Sequence, residues 1–344
     1  MKRVSVVGAT GFVGGELLRL IEGHPELELA QATSTRLAGQ ALARVHPHLG
    51  PTRATRFCSP QELVACDALF LALPHGKAAS AIEHYSALAP TLVDCSADFR
   101  LRDPERYREW YAESHPEPDW LPRFVYGLPE LHREELRTAT HVSGVGCNAT
   151  ALQLALLPLE RAGLLSREQT VVAEVKVGSS EGGASANPAS HHPLRAGCVR
   201  SYAPAGHRHA GEVEQGFPGL RLALSVTAVE LVRGVLATCH VPLERAVDER
   251  ELARAYRAFA RDEPFVDVVH ERSGPYRHPE PKLVCGTNRA QIGYALDERN
   301  GRVVALCAID NLVKGAAGSA LQSFNLTQGW PEDAGLAFRG LHPL

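Results

Sequence analysis

The chain has 344 residues, 44% hydrophobic and 22% charged, with a net charge of -3. That is long for one core and ordinary for a globular protein, so two domains are expected. The charge gives no basic field for nucleic acid, and no apolar run is long enough to span a membrane.

The first part of the chain alternates strand and helix. Residues 3–8 read as a buried strand, and 12–22 as a helix with Leu17, Leu18 and Ile21 on one face. Further strands are expected at 27–33, 67–73 and 91–94. Strands separated by helical segments imply βαβ units and a parallel sheet. Met1-Lys2-Arg3 runs straight into the first strand, so no secretory signal is expected and the cytoplasm is the expected compartment. The eight cysteines stand singly, without a C-x-x-C pair. Most read as small buried hydrophobes.

The first turn is Gly8-Ala9-Thr10-Gly11-Phe12-Val13-Gly14. It leaves a strand and opens a helix, where free N–H groups and a partial positive charge suit a pyrophosphate. Gly8, Thr10, Gly11, Phe12 and Val13 are therefore candidate cofactor contacts. The spacing is G-x-x-G-x-x-G, so a plain glycine-rich turn is the alternative. An NAD enzyme would place an acid near the end of the second strand for the ribose hydroxyls. Here Ser34, Thr35 and Arg36 follow instead. Hydroxyls and an arginine suit a 2′-phosphate, so NADP(H) is favoured; an exposed polar loop is the bland reading.

After Cys147 the texture changes. Residues 149–162 read as an apolar helix kinked at Pro158 and stopped by Gly163. Strand-like runs follow at 170–177, 222–232 and 235–241, with few helices between them, so mixed or antiparallel pairing is expected. A helix is expected at 251–260 and another, lined with small residues, at 310–325. The fold class is α/β: a Rossmann-type NADP domain over 1–147, completed by 315–344, and an α+β catalytic and oligomerisation domain with a mixed sheet over 148–314.

Ser143-Gly144-Val145-Gly146-Cys147-Asn148-Ala149-Thr150 places Cys147 at or just before a helix start, where the dipole favours thiolate. A proton-transfer partner is sought in Gly206-His207-Arg208-His209, with Glu212 three residues on. His207 and His209 could instead be half of a metal site, with His191 and His192 as further ligands. No Cys or His spacing fits a zinc pattern, and no metal is expected.

These segments resemble a known family. GATGFVGGELLRL (8–20), ALPHG (72–76), SADFRL (96–101), YGLPEL (126–131), GCNAT (146–150), GHRH (206–209) and DNLVKGAAG (310–318) are similar to the N-acetyl-γ-glutamyl-phosphate reductases of arginine synthesis. They are also similar to that family's relatives in lysine synthesis. Those relatives reduce α-aminoadipate 6-phosphate carried on a small acidic amino-group carrier protein. The resemblance implies a nucleophile at Cys147 and an acid/base at His207 or His209. Arg100 and Ser180 would hold phosphate or substrate, with Glu212 as a further substrate residue, and Asn311 would contact the cofactor. It also implies a homodimer or homotetramer.

Around the nucleophile, Gly-Cys-Asn-Ala-Thr departs from the Gly-Cys-Tyr-Pro-Thr of the arginine enzymes. With Ser179-Ser180-Glu181-Gly182-Gly183 and Ala189-Ser190-His191-His192-Pro193, it looks like the lysine branch. The implied reaction reduces an acyl phosphate to a semialdehyde through a Cys147 thioester. An acidic carrier would ask for a basic rim, for which Arg195, Arg200 and Arg208 are candidates. Three rivals remain. Aspartate-semialdehyde dehydrogenases share the plan but fit SADFR and GHRH less well. A short-chain dehydrogenase would need Tyr-x-x-x-Lys, and no tyrosine has Lys four residues on. An NADP-sensing regulator would not need Cys147.

Overall fold

The structure is a computed structural model and describes residues 1–50 and 56–344. It divides into two compact units, Met1–Val145 with Ala316–Ala337, and Gly146–Gly315 with Phe338–Leu344. The closing segment, expected as a whole in the first domain, is thus shared: its last seven residues go with the second unit.

The first unit holds a six-stranded sheet of β1 (Lys2–Val7), β2 (Leu27–Ala32), β3 (Ala68–Leu71), β4 (Thr91–Asp94), β5 (Phe124–Tyr126) and β6 (His141–Ser143). The order is β2-β1-β3-β4-β6-β5 and every pair is parallel. Strands buried on both faces need no alternation, and β3 and β4 are buried at every position. Val7, Leu69, Leu71, Ile82, Leu92 and Phe124 share one core cluster. Two sequence expectations shorten here: β1 ends at Val7, and β3 spans four residues of the expected seven. The chain reverses its direction of winding at β1, with β2 on one side and β3 on the other. Ligands of such sheets bind beyond the carboxyl ends of the strands at that switch.

The second unit contains β7 (Thr170–Val177), β8 (Arg200–Ala203), β9 (Arg221–Ala228), β10 (Val235–Pro242), β11 (Val266–Val268), β12 (Ala290–Asp297) and β13 (Arg302–Ile309). Their order is β11-β12-β13-β10-β7-β9-β8. Pairing is mixed: β7 runs parallel to β9 and antiparallel to β10. Alternation is strict in β7 and β10, so one face is buried and the other open. The buried face is covered by helix Cys147–Arg161, which also packs on helices His209–Gly216 and Glu249–Arg261. Residues Asn148–Leu159 of that helix are buried all round, which makes it the central element of the unit. Each of its buried leucines contributes about 2 kcal/mol of apolar burial.

Three elements differ from expectation. The central helix starts at Cys147 itself and continues through Pro158, ending before Gly163 at φ +65°. β9 stops at Ala228, because the next residues turn to bond Val177 and the Gly178 turn. The helix expected over 310–325 begins only at Gly318. Asp310 draws in the N–H groups of Leu312 and Val313, and Val313–Ala317 winds as a wider π-turn. That turn brings Gly315 so close to Cys147 that a Cβ there would lie 2.7 Å from the cysteine Cβ.

Candidate active site

In the first unit, the loop after β1 is drawn in tightly. Gly8 has φ +78°, and a Cβ on it would lie 2.5 Å from the carbonyl oxygen of Ala72. Gly8 N–H donates to Thr33 Oγ1 at 3.3 Å and Ala9 N–H to Thr33 O at 3.1 Å. A Cβ on Gly14 would meet Ala9 Cα at 2.7 Å, so helix Phe12–Glu22 packs directly on the loop. Gly11 differs: nothing lies within 4 Å of where its Cβ would be. Gly11 is also the N-cap of the helix and offers no side-chain cap. The start of the helix thus leaves open space at Gly11, which fits the close approach of a dinucleotide pyrophosphate. Thr10 and Val13 are half-buried and Phe12 is exposed beside this opening.

Beyond β2, Ser34 is buried and its hydroxyl accepts the Leu37 N–H at 3.1 Å, so it first closes its own turn. Thr35 and Arg36 are exposed. His46, which the sequence did not single out, lies with Nε2 2.8 Å from Ala9 O and braces the loop. Burial holds its pKa below the ordinary value.

The ALPHG and SADFR segments meet through Asp98. Its carboxylate accepts the N–H groups of Gly76 at 2.7 Å and Ala79 at 2.9 Å and lies 2.8 Å from His75 Nδ1. These bonds hold Asp98 below the usual carboxylate range despite its burial. Asp94, fully buried, moves the other way, to about 7, first by burial and then by the charge of Asp98. Arg100 is 8% exposed, with Nε donating to Ser96 O at 2.9 Å. Its backbone anchor and burial make it a fixed cation.

In the second unit, Cys147 opens the central helix, as the sequence led us to expect. Its Sγ lies 3.5 Å from Glu181 Oε1 and 3.7 Å from Asn148 Oδ1. Glu181 stands on the turn Ser179–Gly182 after β7. It accepts Asn148 Nδ2 at 2.8 Å and the Tyr202 hydroxyl at 3.3 Å. Burial raises its pKa, against these hydrogen bonds. His209 begins helix His209–Gly216 and is 5% exposed. Its Nε2 lies 3.9 Å from Glu212 Oε1. His207 sits behind it, rings 4.6 Å apart, with Nδ1 accepting the His209 N–H at 3.3 Å. Burial, helped by Arg208, lowers the His207 pKa to about 4.

Cys147 Sγ, a Glu181 oxygen and a His209 nitrogen all lie within 4.8 Å of one another, a spacing that could hold a divalent ion. The ligands come from three separate segments, so spacing along the chain could not show this set.

The other expected site residues take less direct places. Glu212 was expected at the substrate, but it is 1% exposed, and its Oε2 accepts the Gly146 N–H at 2.8 Å. It holds the start of the Cys147 helix and faces His209. Ser180 is buried, and its hydroxyl accepts Asn311 Nδ2 at 2.8 Å. Asn311 Oδ1 accepts the Gly234 N–H at 2.8 Å, so this amide ties two loops of the second unit together. Arg195 does not serve as a free rim cation: its guanidinium donates to Val229 O at 2.6 Å and to Cys198 Sγ at 2.9 Å. Arg200 reaches Leu194 O at 2.7 Å, while Arg208 is exposed. Glu181 and Tyr202 were missed. An acid between glycines just after a strand was the available signal for Glu181; Tyr202 had none.

Comparison with known proteins extends this picture. Residues 3–139 match the NAD binding domain of semialdehyde dehydrogenase, and 147–311 match the semialdehyde dehydrogenase dimerisation domain. A putative [LysW]-L-2-aminoadipate 6-phosphate reductase of Thermomicrobium roseum is 49% identical, covering 99% of each chain. The [LysW]-L-2-aminoadipate 6-phosphate reductase of Deinococcus radiodurans is 48% identical over 99% of this chain and 98% of its own. The [LysW]-L-2-aminoadipate/[LysW]-L-glutamate phosphate reductase of Saccharolobus solfataricus is 44% identical, with 99% and 98% covered. Among solved structures, aspartate semialdehyde dehydrogenase II of Vibrio cholerae shares the fold. Its TM-score is 0.74 at 14% identity, over 96% of this chain and 98% of the other.

Proposed function

The chain belongs to the semialdehyde dehydrogenase family, on the branch of the [LysW]-L-2-aminoadipate 6-phosphate reductases, and we propose that it reduces a carrier-linked acyl phosphate through a thioester on Cys147. The substrate of this reading is L-2-aminoadipate 6-phosphate attached to a small acidic carrier protein, and the cofactor is NADP(H). The observation that carries it is the Cys147 cluster: a thiol at a helix start, flanked by a carboxylate and a buried histidine within 4.8 Å.

The Cys147 sulfur attacks the acyl carbonyl, and the C–O bond to phosphate breaks with its electron pair on phosphate. Arg100 is the counter-charge for the leaving group. A thioester remains on Cys147. NADPH, when bound, supplies the hydride that reduces it. The oxyanion left by hydride transfer then re-forms the C=O bond as the C–S bond breaks, and His209, carrying the proton taken from the Cys147 thiol, returns it to the departing sulfur, which releases aldehyde and restores the Cys147 thiol. His209 is preferred over His207 because its ring nitrogen belongs to the Cys147 cluster and the buried carboxylate of Glu212 faces it. His207, with a pKa near 4, has no proton to give near neutrality. Glu212 is assigned to orienting His209 rather than to substrate. Ser180 is a substrate residue of this reading, and Asn311 acts through it. Thr10, Gly11, Phe12 and Val13 would hold the pyrophosphate, and Thr35 and Arg36 the 2′-phosphate.

A second reading, with a glutamyl phosphate as substrate, is favoured by relatives whose names join aminoadipate and glutamate. The reverse reaction decides between them: NADP+ reduction with phosphate and carrier-bound aminoadipate semialdehyde, carrier-bound glutamate semialdehyde or N-acetylglutamate semialdehyde. Turnover with the carrier-bound aminoadipate substrate is expected, and turnover with the carrier-bound glutamate one favours the second reading. Turnover with the free acetylated one alone would move the chain to the arginine reaction. An NADP-sensing regulator would turn over none of them.

The open face of the second sheet supports a homo-oligomer. Val172 is 51% exposed, and Leu236, Val304 and Leu306 are partly exposed on strands β10 and β13. Apolar side chains on one face of a sheet ask for a cover, and a second copy of this chain supplies it. A native mass of at least twice 37.2 kDa is the expected result.

A further inference from the structure

Cys147, Glu181 and His209 meet in the second unit from three separate segments: the start of the central helix, the turn Ser179–Gly182 and the start of helix His209–Gly216. They bring one sulfur, one carboxylate oxygen and one imidazole nitrogen, all within 4.8 Å of one another. Cys147 and Glu181 are half-buried and His209 is buried. Thiolate and imidazole with a single carboxylate form a zinc-type ligand set, whereas magnesium and calcium ask for oxygen.

The spacing narrows the choice. Around a tetrahedral zinc ion, sulfur at about 2.3 Å and oxygen at about 2.0 Å stand about 3.5 Å from each other. Cys147 Sγ and Glu181 Oε1 are 3.5 Å apart, so this pair already has the separation of two ligands on one ion. The His209 nitrogen would close in by roughly 1 Å to complete the set. Gly146 leaves room for the ring against the helix start: a Cβ there would lie 2.8 Å from His209 Nε2.

The surroundings support ligation. Asn148 Nδ2 donates to Glu181 Oε1 at 2.8 Å and the Tyr202 hydroxyl donates to Oε2 at 3.3 Å, so two neutral donors hold the carboxyl group beside the sulfur. The buried carboxylate of Glu212 faces the His209 ring at 3.9 Å. Ligating carboxylates and histidines are backed by such partners. Charge balances as well: one thiolate and one carboxylate neutralise a divalent ion, so no net charge is carried into a half-buried place. Arg208 acts on Glu181 by charge, but it is exposed and solvent screens it. The plain alternative is a trio held by hydrogen bonds alone. It leaves Glu181 without a part in the chemistry derived above, and ligation gives it one.

We propose that Cys147, Glu181 and His209 form a three-ligand site for a thiophilic divalent cation of the zinc class, and that the bound ion caps the nucleophile and reversibly silences the enzyme. The site stands on the geometry; the silencing rests on Cys147 being the nucleophile, as proposed above. Ligation sends the thiol proton, and the carboxyl proton where Glu181 holds one, to solvent. While sulfur is bound to the ion, its electron pair is committed there and cannot attack the acyl carbonyl. Withdrawal of the ion by a chelator lets a proton return to sulfur and restores attack.

The test is Co2+ and Zn2+ binding to the full-length chain after it has been stripped with a chelator. One Co2+ per chain is expected to give the near-ultraviolet charge-transfer band of thiolate ligation, absent in Cys147→Ser and bleached by added Zn2+. Glu181→Gln and His209→Asn are each expected to weaken Zn2+ by about tenfold or more, read by competition with a chromophoric chelator. In the unaltered chain, one equivalent of Zn2+ is expected to protect Cys147 from iodoacetamide, resolved by peptide mass, to stop turnover, and to do neither once EDTA is added. Lack of a thiolate band, a band that survives Cys147→Ser, or unchanged Zn2+ affinity in both Glu181→Gln and His209→Asn means an adventitious ion only and overturns the site. Zn2+ that protects Cys147 but leaves turnover unchanged overturns the silencing, and Cys147 as nucleophile with it. Protection in a chain that turns over none of the semialdehydes supports the site and overturns only the substrate.

Discussion

The loop Gly8–Gly14 and the cluster around Cys147 solve different problems with different material. The loop works through backbone. Its specificity lies in what three glycines leave out: close contact at Gly8 and Gly14, open space at Gly11. The cluster works through side chains brought from 147–148, 181, 202 and 207–212. A backbone site is written in one stretch of sequence, because spacing alone fixes it. A side-chain site is assembled by the tertiary fold and is only partly written anywhere.

The comparison makes the two sites separable. Cys147→Ser should lower turnover by roughly a thousandfold or more, since no other group supplies the thioester. It should leave NADPH binding, followed by the fluorescence of the bound nicotinamide, within about twofold. A large loss of cofactor affinity would show that the two sites are not independent and would break the contrast just drawn.

How far the sequence could be read follows the same division. Helix Phe12–Glu22 and strand Thr170–Val177 were placed to the residue, because apolar periodicity and glycine punctuation are local signals. The helix start at Cys147 was legible for the same reason. The segment after Asp310 was not. Small residues there read as helix, but the Asp310 carboxylate competes for backbone N–H groups and delays the helix to Gly318. Glu212, expected at the substrate, is turned inward by its helical position and accepts the Gly146 N–H. Arg195 was misplaced because a cation count ignores the carbonyls that can capture a guanidinium. Glu181 needed the return of β7 beside the central helix, a contact across 34 positions that no local pattern records.

The histidine pair gives the finer test, and its two members should differ in size of effect. His209→Asn should slow turnover by roughly 10²–10⁴-fold, the usual loss of a general acid. His207→Asn should cost about tenfold or less, the worth of one neutral hydrogen bond to the His209 N–H. The pH profile separates them further. His207, with its pKa lowered to about 4, is neutral throughout the range from pH 5 to 8 and cannot shape activity there. Its depressed value also means that it contributes stability above about pH 6.5 that is lost as pH falls toward 4. His207→Asn should therefore keep the wild-type profile of kcat/KM between pH 5 and 8 and flatten the loss of thermal stability below pH 6.5. If His207→Asn instead removes a limb of the rate profile in that range, the proton carrier is His207. The buried carboxylate beside His209 would then have been the wrong guide.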